Sequence, residues 1–432
     1  MKCGLPASRR PLAGVLAAMA VSLTGTRVSG VALPWFVLVT TGSATHTGLV
    51  AFCEMAPYVL VKAFTGPLVD RSGPRVVSWS TDAVSAVAAT AVPVLHAANL
   101  LSFWLLLILV AVIGAARGPG DLAKEVMVPE AAERGGMPLE RATGLSGMTE
   151  RLAFTVGPAL GGSLAALAGP MTCLLVIAAC FALGSVITTL ALPRAMGRAG
   201  SPPDGESERG YWRRFGEGWN HLRGDRLLLT IVVTVGITNS LNAAFHTVLL
   251  PVWAKESGNG PTAIGVSGSV AGIAAVLASL IAAMVAHRMR RRVVFFAGFL
   301  VAGAPRYVIL AVDAPMWAVL TVFALSGFGS GFLNPILGAV IFERVPRPLL
   351  GRVNALGDSL AWAGIPLGGL MGGAAVATFG LVPALLTGGT AFFLTTNLAG
   401  LRPEWRQMDQ RRAQRKLSAT KSVRSEAHDR HR

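Results

Sequence analysis

Charged side chains are scarce in this sequence. Asp, Glu, Lys and Arg make up 14% of the 432 residues, whereas about 25% is typical of soluble domains. Cysteine is also rare, with four residues and no CxxC pair, so neither a disulfide framework nor a thiolate metal site is indicated. No lysine follows a glycine, and neither HExxH nor GxSxG occurs. These absences exclude a P-loop ATP motor, a zincin and a nucleophile elbow. We therefore expect no enzymatic activity, no cofactor and no metal.

Apolar residues, by contrast, are abundant. They account for 53% of the chain, the mean hydropathy is +0.57, and 50 residues are glycine. Membrane helices pack through such small residues, and about 20 apolar residues suffice to cross a bilayer. The first apolar run lacks a small-residue cleavage site, so it is expected to be a retained span rather than a signal peptide. The composition predicts a polytopic α-helical protein surrounded by lipid.

Twelve apolar runs are long enough to be membrane spans, which predicts an all-α protein with twelve transmembrane helices. The predicted spans are Leu12–Thr40, Thr47–Val69, Val76–Leu95, Leu100–Lys124, Thr143–Ala168, Pro170–Pro193, Leu227–Trp253, Thr262–Ala286, Val293–Val312, Pro315–Phe342, Val353–Phe379 and Leu381–Leu401.

Positive charge alternates between the loops. Every second loop is rich in arginine, as at Arg71, Arg134 and Arg288, whereas Lys255 is an exception in the other set. We expect the protein to lie in the inner (plasma) membrane. The positive-inside rule then places the arginine-rich loops and both termini in the cytoplasm. It also explains the net charge of +16 without a nucleic-acid partner.

The two halves of the sequence repeat each other, which predicts two six-helix pseudo-repeats, an architecture common in transporters. Five pairs are separated by 217 or 211 residues: Pro34/Pro251, Gly48/Gly265, Arg71/Arg288 and Pro129/Pro346 by 217, and Arg141/Arg352 by 211. The predicted organisation is an N-terminal bundle (1–193), a cytoplasmic linker (194–226), a C-terminal bundle (227–401) and a basic tail (402–432). Tyr211, Phe215, Trp219 and Leu222 share one side of the linker, which predicts an amphipathic helix on the membrane surface.

The loop between the second and third spans carries a recognisable motif. Gly66, Leu68, Asp70, Arg71 and Gly73 match a Gly-x-Leu-x-Asp-Arg-x-Gly-Arg-Lys pattern. The loop resembles the signature of the major facilitator superfamily, which implies that superfamily's fold and transport by alternating access.

The same resemblance suggests a conformational latch. Asp70 could pair with groups of the opposing half, and Arg71 with acids near the end of span four, for which Asp121 and Glu125 are candidates. Such pairs would stabilise one of two packings. Glu150 and Asp358 lie two turns inside spans five and eleven, at the interface between halves that the superfamily fold implies. Both are candidate gate charges, with snorkelling to the cytoplasm as the alternative.

Span five resembles the motif of the superfamily's exporters. Gly157, Pro158, Gly161 and Gly162 match Gly-x-x-x-Gly-Pro-x-x-Gly-Gly, and Ala153 replaces its first glycine. The wider sequence resembles the branch of drug-efflux and siderophore-exporter-like proteins. Ordinary glycine packing between helices is the alternative interpretation.

Charges inside membrane spans are costly and therefore candidates for function. Arg27 and Glu54 lie near the middle of spans one and two, and we expect them to form a pair that is either a proton carrier or a static ion pair. Arg117 in span four is a third proton-coupling candidate, because efflux members of the superfamily often carry an arginine there. Lys62 and Asp82 are close enough to span ends to snorkel.

Three polar side chains of span seven, Asn239, Asn242 and His246, share one helix face. The superfamily fold implies that spans one, four, seven and ten line the central cavity, so these residues are substrate-cavity candidates. Asn334 joins them as the repeat partner of Arg117 (117 + 217 = 334). Hydrogen bonding between helices is the alternative.

The sequence thus predicts a proton-coupled exporter of small amphipathic molecules, and nothing in it requires an oligomer. Two alternatives remain. One is an importer of the same fold, and the other is a membrane receptor or scaffold that moves no substrate.

Overall fold

The computed structural model describes residues 10–194, 196, 216–217, 219–285, 291–346, 349–401 and 405, and its regular secondary structure is helical throughout that part. The helical elements are α1 (Arg10–Thr41), α2 (Ala44–Phe64), α3 (Gly66–Ser72), α4 (Pro74–Ala97), α5 (Phe103–Arg134), α6 (Leu139–Ala191), α7 (Arg226–Ala244), a π-helical turn (Phe245–Leu249), α8 (Leu250–Glu256), α9 (Gly260–Val285), α10 (Arg291–Ala302), α11 (Ala304–Ala311), α12 (Met316–Gly331), α13 (Leu333–Arg344), α14 (Leu350–Ala363), α15 (Ile365–Phe379) and α16 (Leu381–Leu401).

Ten helical stretches of the described residues are long and apolar enough to cross a membrane. Two features separate this number from the predicted twelve. The fifth and sixth predicted spans form one helix, α6, which bends at Gly169 (φ 81°, ψ 164°). The third predicted span corresponds to α4, which is not among the ten. The multi-pass helical architecture is therefore confirmed, and the count of twelve stays a prediction.

The turns at one end of the bundle share an unusual backbone conformation. Each contains a residue with positive φ, namely Gly42, Asn99, Gly169, Gly258, Asp313 and Gly380. Such residues allow a chain to reverse within few residues. We call this end, marked by those six turns, the far end, and the opposite end, marked by Arg10, Arg75 and Arg134, the basic end.

Corresponding helices of the two halves begin at offsets that fall along the chain. Pro34/Pro251 and Gly48/Gly265, in the first helices of each half, differ by 217, whereas the starts of α5 and α12 differ by 213 (316 − 103) and those of α6 and α14 by 211 (350 − 139). The far-end turns agree, since Asn99 and Asp313 differ by 214 and Gly169 and Gly380 by 211. The offset thus shortens before α5 and again before α6.

This shortening corrects two predicted pairs. With the offset of 213 that applies to α5, the counterpart of Arg117 is Ser330 (117 + 213), not Asn334. Pro129 and Pro346 are not equivalent either, because Pro129 lies inside α5 whereas Pro346 follows α13. Their equal spacing in sequence was a coincidence.

Equivalent arginines at the basic end make equivalent contacts. The Arg75 guanidinium donates to the carbonyl of Thr189 at 2.7 Å, and Arg292 donates to the carbonyl of Gly400 at 2.9 Å. The donors differ by 217 and the acceptors by 211, the offsets of their own helices. Each arginine therefore satisfies a carbonyl near the last turn of a helix, where a cation is also favoured by the helix dipole.

Two equivalent glycine contacts join the halves towards the far end. A Cβ on Gly48 of α2 would collide with the carbonyl oxygen of Gly369 in α15, and one on Gly265 of α9 would lie 2.6 Å from the carbonyl oxygen of Pro158 in α6. Gly48 and Gly265 are repeat partners, as are Pro158 and Gly369 (369 − 158 = 211). Backbones can approach this closely only where side chains are minimal.

The far end is closed by packing as well. All side chains of α1 from Val31 to Leu38 are buried, and they belong to an apolar core that continues through both halves. Lys255 of α8 donates to the carbonyl of Leu38 at 3.0 Å, which gives the lysine that departs from the charge alternation a structural role between the halves. A shallow pocket of about 540 Å³ lies beside it.

The residues preceding α7 pack onto the protein. Leu222 is buried against Leu228, Val345 and Val353, so this end of the predicted amphipathic helix faces the protein core. Tyr211 and Phe215 lie outside the described residues.

Asp225 caps α7 at the basic end. Its carboxylate accepts from the backbone N–H groups of Leu227 and Leu228 and pairs with Arg344 at 2.7 Å. Burial alone would raise the pKa of Asp225, but the hydrogen bonds from Arg344 and the backbone outweigh it, so the pKa is lowered. A lowered folded-state pKa contributes stability above the unfolded pKa of about 3.9, and that stability is lost as the pH falls through the folded value.

Asp225→Asn is therefore expected to lower the free energy of unfolding at pH 7 by about 1.5–3 kcal/mol, the range for hydrogen bonds to charged groups. The difference from wild type should begin to shrink as the pH falls below about 3.9, where the unfolded carboxylate takes up a proton, and should vanish below the lowered pKa of the folded state. Thermal unfolding of the purified protein between pH 3 and pH 7 would measure it. A difference that stays constant over this range would contradict the assignment.

Candidate functional site

A buried ion pair lies between α2 and α5. Arg117 Nη1 and Glu54 Oε1 are 2.8 Å apart, and only 6% and 9% of the two side chains are exposed. The Arg117 guanidinium also lies over the ring of Tyr58, 5.2 Å from its centroid. The helices come close enough for this pair because Gly114 packs directly on the backbone of Glu54. The negative charge of Glu54 is thus balanced by the guanidinium of Arg117 in α5.

Arg27 does not form the predicted pair with Glu54. Its guanidinium instead lies 4.4 Å from the ring centroid of Phe154 in α6, and its Nε has no hydrogen-bond partner. Gly157, the next turn of α6, packs against the Arg27 side chain so closely that any Cβ would collide with it. The correction has a geometric cause, since α1 presents Arg27 to α6 rather than to α2.

The Glu54–Arg117 pair is the first rung of a ladder between α2 and α5. Glu54, Tyr58 and Lys62 follow at i, i+4 and i+8 in α2, and residues 63 positions later (Arg117, Asp121 and Glu125) follow in the same way in α5. Tyr58 donates to Asp121 at 3.4 Å. Lys62 and Glu125 attract each other electrostatically.

The ladder also touches the other half of the protein. Lys62 Nζ donates to the Tyr58 hydroxyl at 3.4 Å and lies 5.1 Å from the ring centroid of Trp362 in α14. Tyr58 stacks on the same tryptophan, with ring centroids 6.1 Å apart. At the repeat-related contact between the halves, where α6 meets α9, Arg151 of α6 donates to Ser279 of α9 at 3.1 Å.

Asp82 and Lys124 form a second buried pair, at 2.8 Å, and this corrects the prediction that Asp82 snorkels. Asp82 also accepts from Ser22 of α1 at 3.1 Å. Both charged side chains are almost fully enclosed, because α1, α4, α5 and α6 surround them. Because Gly120 and Gly184 have no side chains, the carboxylate has room between the helices.

Breaking that pair should be costly. Asp82→Asn leaves Lys124 without a charged partner, and removing one member of a buried ion pair typically costs about 3–5 kcal/mol. Thermal unfolding of the purified protein would measure the loss. Glu130→Gln is the matched control, since its partner Arg134 is four residues away on the partly exposed surface of α5 and such pairs contribute about 0.3–0.5 kcal/mol. Equal effects of the two substitutions would contradict a buried structural pair.

A third polar cluster, in the C-terminal half, includes a residue that the sequence analysis missed. Arg306 of α11 is buried, donates to the Asn242 side-chain oxygen and lies 3.3 Å from His246 Nε2. Its position near the middle of the ninth predicted span, as a charge in an apolar run, was the available signal. Asn242 and His246 therefore lie together, as predicted from their shared helix face.

The remaining cavity candidates lie apart from that cluster. Asn239 donates to the carbonyl of Ala361 at 3.0 Å and so joins α7 to α14. The backbone of Asn334 lies in α13, but its side chain is outside the described residues.

The glycines of the exporter-like motif are packing positions. Gly157 and Gly161 contact α1, whereas Gly162 and Pro158 contact Gly265 of α9. The motif therefore lies where one half meets the other.

The loop motif is only partly described. Gly73 adopts a φ of 81° between α3 and α4. The side chain of Asp70 and the surroundings of Gly66 are outside what the structure describes. Arg71 is exposed, and among the described ion pairs none joins it to Asp121 or Glu125. Asp121 instead accepts from Tyr58.

The candidate gate acids Glu150 and Asp358 are both exposed. They lie between the interhalf contacts described above and the basic end. Lys62 and Arg151, by contrast, each contact a residue of the other half.

Comparison with known proteins decides the family. A family model described as a transmembrane secretion effector, within the major facilitator superfamily, matches residues 6–430. The chain belongs to this family. Superfamily membership and the all-helical, multi-pass fold predicted from the sequence are thereby confirmed, and the molecule is a membrane transporter of small molecules.

Named members and solved structures agree with that assignment. The chain is 32% identical over 409 residues to the multidrug efflux pump Tap of Mycobacterium tuberculosis, covering 93% of this chain and 96% of that protein. It is 30% identical over 401 residues to Tap of Mycolicibacterium fortuitum, covering 89% and 96%. Among solved structures, the nucleoside transporter NupG superposes with a TM-score of 0.72 at 14% identity, covering 91% of this chain and 98% of NupG. A POT family transporter in complex with 5-aminolevulinic acid gives 0.70 at 12% identity, covering 91% and 96%.

Proposed function

We propose that this superfamily member exports small amphipathic molecules in exchange for protons. The relatives named multidrug efflux pumps support the export of drugs. The structural observation that carries the proton coupling is the buried Glu54–Arg117 pair, because a carboxylate enclosed between helices and balanced by one arginine can exchange a proton for an ion pair. Asp82, the other buried acid of the described residues, lies deep within one half and is assigned a structural role.

Alternating access explains the arrangement of the interface. The far end is joined by the Gly48 and Gly265 contacts, whereas Glu150 and Asp358 are exposed nearer the basic end. We assign the basic end and both termini to the cytoplasm of the inner (plasma) membrane, which follows from the positive-inside rule. With this orientation, the structure corresponds to the cytoplasm-facing state of the transporter, which a substrate enters from the cytoplasm.

The ladder of α2 and α5 offers a proton route to Glu54. Tyr58 and Asp121 are hydrogen-bonded one turn below the Glu54–Arg117 pair, and Lys62 with Glu125 follows one turn further towards the basic end. A proton released from Glu54 would leave towards the cytoplasm by these groups. Because Lys62 also contacts Trp362 of the other half, this proton route would change when the two halves move relative to each other during transport.

Several predictions from the sequence enter this proposal unchanged. Asp70 and Arg71 remain the candidate latch, the four-part organisation with bundles at 1–193 and 227–401 remains the domain assignment, and the exporter acts as a monomer without a nucleic-acid partner. Arg27, beside the exporter-like motif, remains a candidate for sensing proton binding.

The test is accumulation of a panel of fluorescent lipophilic compounds in a pump-deficient bacterium expressing the protein, with and without a protonophore. Lower accumulation that the protonophore reverses is the expected result. Lower accumulation that the protonophore leaves intact would reject proton coupling. Expression that raises accumulation would favour an importer, and unchanged accumulation of every compound would reject drug export.

A further inference from the structure

Arg306 is a cation buried inside the C-terminal half. Only 7% of the residue is exposed. Aromatic rings surround its guanidinium, with the centroid of Phe245 at 4.5 Å and those of Tyr307 and Phe392 at 5.5 and 5.9 Å. Its hydrogen-bond partners are all neutral and include the amide oxygen of Asn242, the ring of His246 and the hydroxyl of Tyr307.

No carboxylate balances this charge in the part of the chain that the structure describes. The buried ion pairs there are Glu54–Arg117 and Asp82–Lys124, both in the N-terminal half. The Nε of Arg306 has no hydrogen-bond acceptor at all. A charge within a membrane span is expensive and is usually paired, so neutral partners alone leave Arg306 with capacity for an anion.

His246 gives this cation access to the space between the halves. It lies in the π-helical turn Phe245–Leu249, a distortion that often marks functional sites. That turn packs against α1 and α2 of the opposing half, yet His246 itself is exposed. The exposed side of His246 therefore opens into the interior between the two halves.

We propose that Arg306, His246 and Asn242 form a subsite for an anionic group, a carboxylate in particular, of the transported molecule. The anion would meet His246 at the cavity surface and replace the neutral acceptors that now occupy the Arg306 guanidinium. A carboxylate adds Coulomb attraction and can accept two parallel hydrogen bonds from the guanidinium, which the neutral acceptors cannot supply, so the exchange is favourable. The inference rests on the proposed function and narrows it, since the substrates would be amphipathic acids or zwitterions rather than purely cationic lipophiles.

The experiment compares two fluorescent probes that differ by one charge, a rhodamine with a free carboxylate and its methyl ester. Binding of each to the purified full-length protein in detergent is measured by fluorescence polarisation. Wild type should bind the acid more tightly than the ester. Arg306→Met should weaken binding of the acid by about tenfold or more, as expected for loss of a charged hydrogen bond, and leave the ester unchanged.

Two further variants locate the effect. Arg306→Lys keeps the charge and should retain part of the preference for the acid. Arg292→Met removes another arginine of the C-terminal half, one that donates to the carbonyl of Gly400 at the basic end, and should leave the preference as in wild type. Loss of the preference in Arg292→Met but not in Arg306→Met would overturn the proposal, as would equal weakening of both probes in Arg306→Met.

The wild-type comparison stands even if the variants fold poorly, because equal affinity of wild type for acid and ester would by itself overturn the subsite. Failure of proton-driven export in cells, with the acid preference intact in purified protein, would count against the proposed function alone.

Discussion

Replacing Glu54 with glutamine is expected to abolish substrate accumulation driven by a pH gradient while leaving substrate exchange intact. Glutamine keeps an oxygen that can accept from Arg117, 2.8 Å away in wild type, but it cannot bind or release a proton. With one proton exchanged per substrate, a gradient of one pH unit supports an accumulation ratio of about tenfold. In proteoliposomes the variant should give a ratio of one, with counterflow of labelled substrate at a rate comparable to wild type.

The control for this experiment is Glu130→Gln, which removes a carboxylate from the partly exposed surface of α5 and should leave both activities unchanged. If Glu54→Gln loses exchange as well, an uncompensated Arg117 is the expected cause, since removing one member of a buried pair is strongly destabilising. The double substitution Glu54→Gln with Arg117→Gln should then restore exchange without restoring coupling. Persistent gradient-driven accumulation in Glu54→Gln would make Glu54 a static partner of Arg117.

The multi-pass helical fold and the family could be predicted from this sequence because they depend on one-dimensional signals. Apolar run length reports the thickness of a bilayer, and the alternation of arginine reports which loops share a side. The motif around Asp70 adds the superfamily. None of these requires knowledge of how a helix is rotated about its axis.

The partners of buried charges could not be predicted in the same way, because they depend on that rotation. Arg27 and Glu54 lie at similar depth, so depth alone suggested a pair. Glu54 instead faces Arg117, because α2 and α5 approach closely at Gly114. Asp82 was placed near a span end, although α4 extends from Pro74 to Ala97 and holds it inside the bundle.

The repeat was recognised from sequence, but its register was not. A single offset of 217 fits the residues up to α4, and the two shortenings lie before α5 and α6, where few residue types are shared between the halves. Asn334 was chosen with the wrong offset for that reason. Helix starts and far-end turns supply the register, since they are fixed by backbone geometry rather than by residue identity.

Adding a single methyl group to Gly48 is expected to stop transport by preventing closure of the far end. The Cβ of Gly48→Ala would collide with the carbonyl oxygen of Gly369 in the opposing half, and backbone at a helix crossing cannot move aside as a flexible side chain could. Gly265→Ala should act in the same way through Pro158, because the two contacts are repeat partners. Reversing the populations of the two transporter states from 1:99 to 99:1 takes about 5.5 kcal/mol. Two collisions destabilise the closed far end more than one, so the double variant should shift this equilibrium further than either single variant.

Labelling of a buried cysteine would report the shift. Ala51 lies beside Gly369 and is 6% exposed, so Ala51→Cys in a cysteine-free background should react slowly with a membrane-impermeant maleimide added outside intact cells. Introducing Gly48→Ala should accelerate labelling and abolish export together. Gly144→Ala is the matched control, because that glycine lies in α6 with nothing within 4 Å of a Cβ, and it should change neither. If Gly48→Ala abolishes export while labelling stays slow, the far end still closes and the glycine contact serves helix packing rather than the transport cycle.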